Sequence, residues 1–193
     1  MDNENKKRFI FVSVPNPHRT EQKKFVKMVH DILINDKFQP VTLGHTNFSQ
    51  KPPLEAIQEL LKKCSGLITI ASRRSIILHG EEKPEANVYG QQSKELSNIW
   101  LTSPFCHIET AMAFQIKIPT LLLKEKDVIS DGVFERGIIG QYIPEFNLEN
   151  AFMEDFLNSA QWKQVYIEWK KEVDSHLPQN EENIGEPLFE SIN

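Results

Sequence analysis

A short helical segment carries the residues best suited to chemistry. Residues 103–114 read SPFCHIETAMAF, in which Ser103 is a good N-cap and the proline after it suits the first helical position. Phe105 and Glu109 are four residues apart, so an aromatic ring and a carboxylate share one face of this helix. Such a carboxylate can stabilise positive charge on a substrate, whereas a surface glutamate near a helix start only complements the helix dipole. The segment alone leaves both interpretations open.

A thiol mechanism is not favoured by the same segment. Cys106 and His107 are neighbours, and adjacent helical residues point about 100° apart, so His107 is badly placed as a base for Cys106. We interpret Cys106 as a small buried side chain. With only two cysteines in the chain, Cys64 and Cys106, the composition predicts reduced thiols and not a disulfide framework.

The rest of the chain alternates between apolar runs and segments with helical spacing. Strands are predicted at 8–14, 39–44, 66–72, 118–125 and 137–143, and helices at 20–36, 53–64 and 104–117. Strands separated by single helices predict a parallel sheet covered on both faces, with Val12 and Val14 buried in an interior first strand. The expected fold class is therefore α/β, a flavodoxin-like three-layer α/β/α arrangement with a central parallel sheet of about five strands and a C-terminal helix.

Two segments depart from this alternation. Residues 79–98 are polar and rich in turn formers, so we predict a long mobile loop that orders over a ligand as a lid. Residues 149–177 contain an apolar stripe at helical spacing, which predicts a helix packed against the domain. The stripe consists of Trp162, Tyr166, Trp169 and Val173. We divide the chain into an α/β domain (1–148), this helical extension and an acidic flexible tail (178–193).

Composition narrows the class of function. The net charge of −5, with no basic block, argues against a nucleic-acid partner. No apolar run approaches 18 residues and the N-terminus lacks the apolar core of a signal peptide, so we expect a cytoplasmic protein without membrane contact. The chain has no GxGxxG or GxxxxGK[ST] loop and no His or Cys pair with metal-ligand spacing, so neither a cofactor nor a metal is expected.

The fold class also predicts where a ligand binds. In an open parallel α/β sheet, ligands lie beyond the carboxyl ends of the strands, and helix N-termini at that edge favour anions. We therefore expect one crevice to gather the residues that follow the strands and the ring on the Glu109 helix. These binding residues are Ser13, Val14, Pro15, Asn16, His45, Ser72, Arg73 and Phe105. For Arg73, a phosphate contact and simple solvation both remain open.

The helix segment resembles a known motif. SPFCHIETAMA resembles the helix of Toll/interleukin-1 receptor (TIR) domains, whose pattern runs Ser-x-Trp-Cys-x-x-Glu-x-x-x-Ala. Ser103, Cys106, Glu109 and Ala113 match, and Phe105 replaces the tryptophan. The resemblance spans roughly residues 8–146. Within it, HTNFSQKPP (45–53) occupies the place of the loop over the family's nucleotide site, which implies that His45 and Phe48 contact the nucleotide.

The TIR family contains adaptors that assemble without chemistry and enzymes that cleave the nicotinamide–ribose bond of NAD⁺. Resemblance to the enzymes implies that Glu109 is the catalytic residue and that NAD⁺ or a related nucleotide is the substrate. It also implies a homo-oligomer on activation, with Phe48 as a contact between subunits. A role in bacterial antiviral defence, with a separate sensor or effector protein as partner, is a further implication of the resemblance.

Two other functions fit the same residues. Nucleoside 2-deoxyribosyltransferases have a similar α/β fold and also place a glutamate on a helix before a strand such as residues 118–123. Their chemistry occurs at the anomeric carbon of a nucleoside. The third possibility is a non-enzymatic TIR-like scaffold or nucleotide sensor, which binds through 79–98 and the C-terminal helix. The residues alone leave all three open.

Overall fold

The computed structural model describes residues 8–43, 51–149 and 152–176. The elements are, in chain order, β1 (Arg8–Ser13), α1 (Thr20–Asn35), β2 (Phe38–Val41), α2 (Pro53–Leu61), β3 (Gly66–Ala71), β4 (Ser75–Glu82), β5 (Lys94–Leu101), α3 (Pro104–Gln115), β6 (Thr120–Glu125), β7 (Glu145–Phe146), α4 (Phe152–Asn158) and α5 (Ala160–Ser175). A single 3₁₀ turn, Gly132–Phe134, lies between β6 and β7.

Five of these strands form the central sheet, in the order β2-β1-β3-β6-β7, and all of its neighbouring strands are parallel. Strand β1 lies between β2 and β3, which confirms that the first strand is interior. Val12 is fully buried, as predicted, whereas Val14, which follows the last residue of the strand, is only half-buried and corrects the prediction for that residue. The predicted three-layer α/β/α fold with about five parallel strands is therefore confirmed.

The alternation of side chains along the strands separates two cores. Ile10 and Val12 of β1 pack with α1, α4 and α5, whereas Phe11 packs with α2 and α3. The C-terminal stripe Trp162, Tyr166, Trp169 and Val173 is buried in the first of these cores, and the indole N–H of Trp169 donates to the carbonyl of Pro119 over 3.1 Å. Helix α5 is thus part of one face of the sheet.

Close approach of α5 to the sheet requires a glycine. A Cβ added at Gly66, the first residue of β3, would lie 2.7 Å from Val173 Cγ2 and 2.9 Å from Trp169 Cζ2. Carbon atoms prefer separations of about 3.5–4 Å, so a methyl group does not fit at this position.

The loop predicted at 79–98 is wrong at both ends, because residues 79–82 belong to β4 and residues 94–98 to β5. Only residues 83–93 connect the two strands, and the predicted ordering over a ligand stays a prediction. Strands β4 and β5 pair antiparallel from Ser75 opposite Leu101 to Glu82 opposite Lys94, and they form a separate two-stranded sheet. The strands escaped the sequence analysis because most of their side chains face water, so no run of buried apolar residues marks them.

The fifth strand predicted at 137–143 is also wrong. Gly137 has a φ of +89°, and its N–H donates to the carbonyl of Gly140 within a local turn. The apolar residues that suggested a strand, Ile139 and Ile143, pack instead beside Ala71, Leu122 and Phe134. The short strand β7 completes the sheet just after this turn.

Among the residues that the structure describes, no helix combines the length and the apolar character needed to cross a membrane.

Candidate active site

The carboxyl end of β1 meets α3 at a buried polar contact. The Ser103 hydroxyl accepts a hydrogen bond from the Phe105 N–H over 3.2 Å and caps α3, so Glu109 lies in the second turn. The Ser13 hydroxyl donates to Oε2 of Glu109. Ser13 is fully buried and Glu109 is only 9% exposed, so this pair lies at the carboxyl edge of the sheet with little access to bulk water.

Burial changes the acidity of Glu109. Desolvation raises the pKa of this carboxyl from 4.5 to about 7, and the hydrogen bond from Ser13 opposes the increase. A carboxyl with a pKa near 7 is present in both protonation states at neutral pH. Carboxyl groups of this kind are typical of acid–base and glycosidic sites, although buried structural pairs can also shift a pKa.

Cys106 lies against this pair without the properties of a nucleophile. The thiol is 1% exposed, and burial, followed by the charge of Glu109, raises its pKa to about 12. A thiol with this pKa stays protonated at neutral pH. The interpretation of Cys106 as a small buried side chain is confirmed.

A second buried contact fixes α3 to the sheet. The hydroxyls of Thr69 in β3 and Thr110 in α3 lie 2.6 Å apart and both residues are fully buried. Because Thr110 follows Glu109 directly, this contact restricts the rotation of α3 about its axis and so helps to hold the carboxyl against Ser13.

The other residues predicted for the crevice differ in their exposure and in the face of the sheet on which they lie. Phe105 lies one turn before Glu109 on the same helical face and is 46% exposed, so its ring is accessible to a ligand. Ser72 and Pro15 are buried, Asn16 is exposed, and Val14 contacts the α1 core on the opposite face of the sheet. His45 and Phe48 lie outside the described residues.

Arg73 is held by protein groups. Its Nε donates to the carbonyl of Lys126 over 2.8 Å, its Nη2 lies 2.7 Å from Asp127 Oδ2, and its guanidinium carbon stands 5.4 Å from the ring centre of Trp100. The side chain thus joins the end of β3 to the segment after β6 and to the hairpin. A phosphate contact would compete with these interactions, and the phosphate role of Arg73 stays a prediction.

Sequence reasoning missed a second buried carboxyl, Glu125. It accepts from the Arg73 N–H over 2.8 Å, and its Oε1 lies 3.8 Å from both Arg19 Nη1 and Arg73 Nε. Burial raises its pKa, and the Arg73 N–H and the two guanidinium groups oppose the increase. The rule that gathers residues at carboxyl ends of strands would have found it, because Glu125 ends β6.

The two carboxyls lie on opposite faces of the sheet. Glu109 meets Ser13 on the α3 side, whereas Glu125 is next to Arg19 at the start of α1, and Gln22 of that helix donates to the Arg73 carbonyl over 2.9 Å. Glu125 is already satisfied by N–H groups and cations, so Glu109 is the carboxyl with fewer charged neighbours.

An open cavity of about 410 Å³ lies beside α3 but does not contain Glu109. Its lining consists of Leu101, Thr102, Pro104, His107, Ile108, Asp131 and Gly132. His107 points away from the Phe105–Glu109 face of the helix, and neither Phe105 nor Glu109 belongs to the lining. Within the described ranges, no group of three or more His, Cys, Asp or Glu side chains is arranged to hold a metal ion.

The fold and this site define a three-layer α/β protein with a buried, hydrogen-bonded carboxyl at the carboxyl edge of its sheet. No protein-family model and no curated protein matches the chain. The chain is similar to the structure of Clostridium botulinum CMP N-glycosidase, BcmB, with a TM-score of 0.48 and 14% sequence identity. That match covers 82% of this chain and 99% of the other. Similarity of this degree carries no inference about function, which rests on the residues of the site.

Proposed function

We propose that this protein cleaves the N-glycosidic bond of a nucleotide with Glu109 as its catalytic carboxylate, and that NAD⁺ is the substrate. The observation that carries the proposal is the buried Glu109 carboxyl, hydrogen-bonded by Ser13 at the carboxyl end of an interior parallel strand. Ligands bind at this edge in open α/β sheets. The resemblance of the Ser103–Ala113 segment to the TIR helix motif supports NAD⁺ as the specific substrate.

The chemistry requires a carboxylate in a poorly solvated place. When the bond between ribose C1′ and nicotinamide breaks, its electron pair leaves with nicotinamide, which becomes neutral, and positive charge develops on C1′ and the ring oxygen. A carboxylate in a low-dielectric site stabilises that charge more strongly than one in water. Water then bonds to C1′ and releases a proton, which gives ADP-ribose.

Each neighbouring residue has a role in this proposal. Ser13 holds one carboxyl oxygen and leaves the other to face the ribose. Phe105 offers an exposed ring one turn before Glu109, at the position where a base or ribose would stack. Because the cationic nicotinamide ring is itself an adequate leaving group, no acid is needed to protonate it.

One observation favours a second candidate, cleavage or exchange of the base of a neutral nucleoside, as in the 2-deoxyribosyltransferases. A neutral base leaves more easily when it is protonated, and a carboxyl with a pKa of about 7 is partly protonated at neutral pH. The same Glu109 could then act as an acid toward the base, so the two candidates differ in which protonation state of Glu109 is active.

The test measures two reactions on the full chain at high protein concentration, nicotinamide release from NAD⁺ and base exchange on deoxynucleosides. We expect nicotinamide release, and a loss of about 10²-fold or more in Glu109→Gln, which is on the order of 3 kcal/mol at the barrier. Glu135→Gln is the matched control, because Glu135 is exposed and follows the 3₁₀ turn.

Three other outcomes have distinct meanings. Base exchange without nicotinamide release selects the second candidate. Equal activity of wild type and Glu109→Gln removes the catalytic role of Glu109. Tight nucleotide binding with neither reaction selects a nucleotide sensor or scaffold.

A further inference from the structure

The hairpin formed by β4 and β5 stands apart from the central sheet. Its two strands pair only with each other among the described strands, and most of their side chains are exposed. A single two-stranded hairpin is at best marginally stable in water, and three or more strands are normally required. An arm of this kind therefore gains stability when another strand pairs with one of its edges.

The two edges of the hairpin differ in how they are protected. In β5, Asn98 has a φ of +55°, and such an interruption twists a strand and discourages pairing. Near its end, Trp100 forms a bridge with Val128 and its carbonyl accepts from the Ile129 N–H over 2.9 Å. Strand β5 is therefore interrupted in the middle and partly covered at its base.

Strand β4 has fewer of these protections, because its two charged residues, Glu81 and Glu82, both lie at its end. Ser75–Glu82 reads SIILHGEE, without proline or lysine and without a residue of positive φ. Natural edge strands usually carry such features because an unpaired edge recruits other strands. Among the strands of the described residues, none pairs with the outer edge of β4, which is eight residues long.

The same strand exposes apolar side chains. Ile76 is 39% exposed and Leu78 is 59% exposed. Ile76 is opposite Trp100 and Gly80 is opposite Leu96, so Ile76, Leu78, Leu96 and Trp100 lie on one face of the hairpin, together with the polar Asn98. A strand added at the β4 edge would extend this face.

We propose that β4 pairs antiparallel with β4 of a second copy of this chain, about a two-fold axis through Leu78, and so forms a four-stranded sheet across the dimer. Residues directly opposite each other in an antiparallel pair point to the same face of the sheet. A two-fold axis perpendicular to the sheet meets this condition only if it lies between two copies of the same residue. With the axis at Leu78, Leu78 of one copy is opposite Leu78 of the second copy, and three further pairs form on each side of the axis. These pairs are Ser75 with Glu81, Ile76 with Gly80, and Ile77 with His79.

Charge and polarity make this register self-complementary. It places no like charges opposite each other, and Glu82 lies beyond the paired residues. The neighbouring register, centred on His79, would oppose His79 with itself and place Glu82 opposite Ile76. Like charges or mismatched partners directly opposite are unfavourable in sheets. The register centred on Ile77 would pair only residues 75–79 of each strand, whereas the Leu78 register pairs residues 75–81, so the Leu78 register is preferred. Because β4 is complementary to a second β4 in this register, we take a second copy of the chain as the partner.

Pairing would also restrain the candidate active site without supplying residues to it. The base of the hairpin lies close to α3 along the chain. Its strands are joined there by a hydrogen bond from the Arg74 N–H to the Leu101 carbonyl over 2.9 Å, and Ser103, which caps α3, follows two residues after Leu101. The dimer itself does not depend on the function proposed for Glu109.

The first test measures molar mass against concentration for the full chain. One strand edge buries less than the ~800 Å² per partner of a standard interface, so we expect monomer and dimer to exchange over roughly 1 µM to 1 mM. Leu78→Lys places two lysines opposite each other and should give a monomer throughout this range. Ser97→Lys, an exposed position on the protected strand β5, should dimerise as wild type does.

The second test fixes the register. Cα atoms more than about 7 Å apart cannot form a disulfide, and strands are about 4.8 Å apart, so two β5 strands in this sheet would be roughly 14 Å apart. Leu78→Cys should therefore give a disulfide-linked dimer under mild oxidation, whereas Ser97→Cys should not. The natural cysteines Cys64 and Cys106 are buried and do not interfere.

A wild-type chain that stays monomeric overturns the proposal, and the partner of this edge would then be a strand of another protein. Equal dimerisation of Leu78→Lys and wild type, or equal cross-linking of the two cysteine variants, also overturns it.

Discussion

The hydroxyl of Ser13 donates a hydrogen bond to the carboxyl of Glu109, and this contact joins the last residue of β1 to the second turn of α3. The hydrogen bond favours the charged form of Glu109, whereas burial opposes it. Ser13 therefore lowers the proton affinity that burial gives the carboxyl, and in the proposed reaction it is a positioning residue.

Ser13→Ala should raise the pKa of Glu109 further. A hydrogen bond to a charged group contributes about 1.5–3 kcal/mol, so the midpoint of the kcat/KM–pH profile should move by about 1–2 pH units toward alkaline values. Thr120→Val is the control, because it removes a hydroxyl that donates to the Ile118 carbonyl at the start of β6, the end of that strand away from Glu109. An unchanged midpoint in Ser13→Ala would mean that Ser13 does not control the acidity of Glu109.

The pH dependence of activity distinguishes the two candidate reactions. If the carboxylate stabilises the cationic transition state of NAD⁺ cleavage, kcat/KM should rise with pH through about 7 and then level off. Residual activity of Glu109→Gln should lack this rise. A fall through the same pH range would instead indicate that the protonated carboxyl is active, as expected for a neutral base.

Glu109 should also make stability depend on pH. Its pKa is about 7 in the folded protein and its ordinary value is 4.5, so the neutral form favours folding; the stability present below pH 4.5 is lost as pH rises toward and beyond 7. Glu109→Gln removes this loss. We compare the free energy of unfolding of Glu109→Gln with that of wild type at each pH. Allowing for solvent access, this difference should be about 1–3 kcal/mol more favourable to the variant at pH 8 than at pH 4.5. Urea unfolding at both pH values measures this gain; an identical difference at both would contradict the shifted pKa.

Phe105 tests the stacking role of the exposed ring. Phe105→Ala should raise KM for NAD⁺ about tenfold, because stacking of a base on an aromatic side chain contributes ~1–3 kcal/mol, and stability should change little at this exposed position. Phe105→Trp should keep the substrate affinity. Phe114→Ala is the control, an exposed aromatic at the other end of α3. Equal KM values for both alanine variants would exclude stacking on Phe105.

Gly66 tests the docking of α5 on the sheet. Gly66→Ala should destabilise the protein by about 1–3 kcal/mol, because its new methyl group would clash with Val173 and Trp169. Val173→Ala makes room, so the double variant should lose less than the sum of the two single variants. Thermal or urea unfolding of the four proteins measures this coupling. Strict additivity would mean that these residues do not meet.

The local sequence determined most of the architecture. The apolar runs of β1 and β3 and the helical spacing of α1 predict buried strands and an amphipathic helix, because these patterns arise from the periods of strands and helices. The aromatic stripe of α5 predicts packing for the same reason. The hairpin was missed because its strands are exposed on both faces, and the turn at Gly137 was missed because apolar residues surround it.

For the site, the sequence by itself determined that Glu109 and Phe105 share a helical face and that Ser13, Ser72 and Arg73 lie at or just after the carboxyl ends of strands. Only the tertiary structure decided that Ser13 reaches Glu109, 96 residues away, and that Arg73 is held by Asp127. It also placed the carboxyl where burial raises its pKa to about 7. These properties depend on distances between elements and on exclusion of water, and neither is encoded in the spacing of residues along one element.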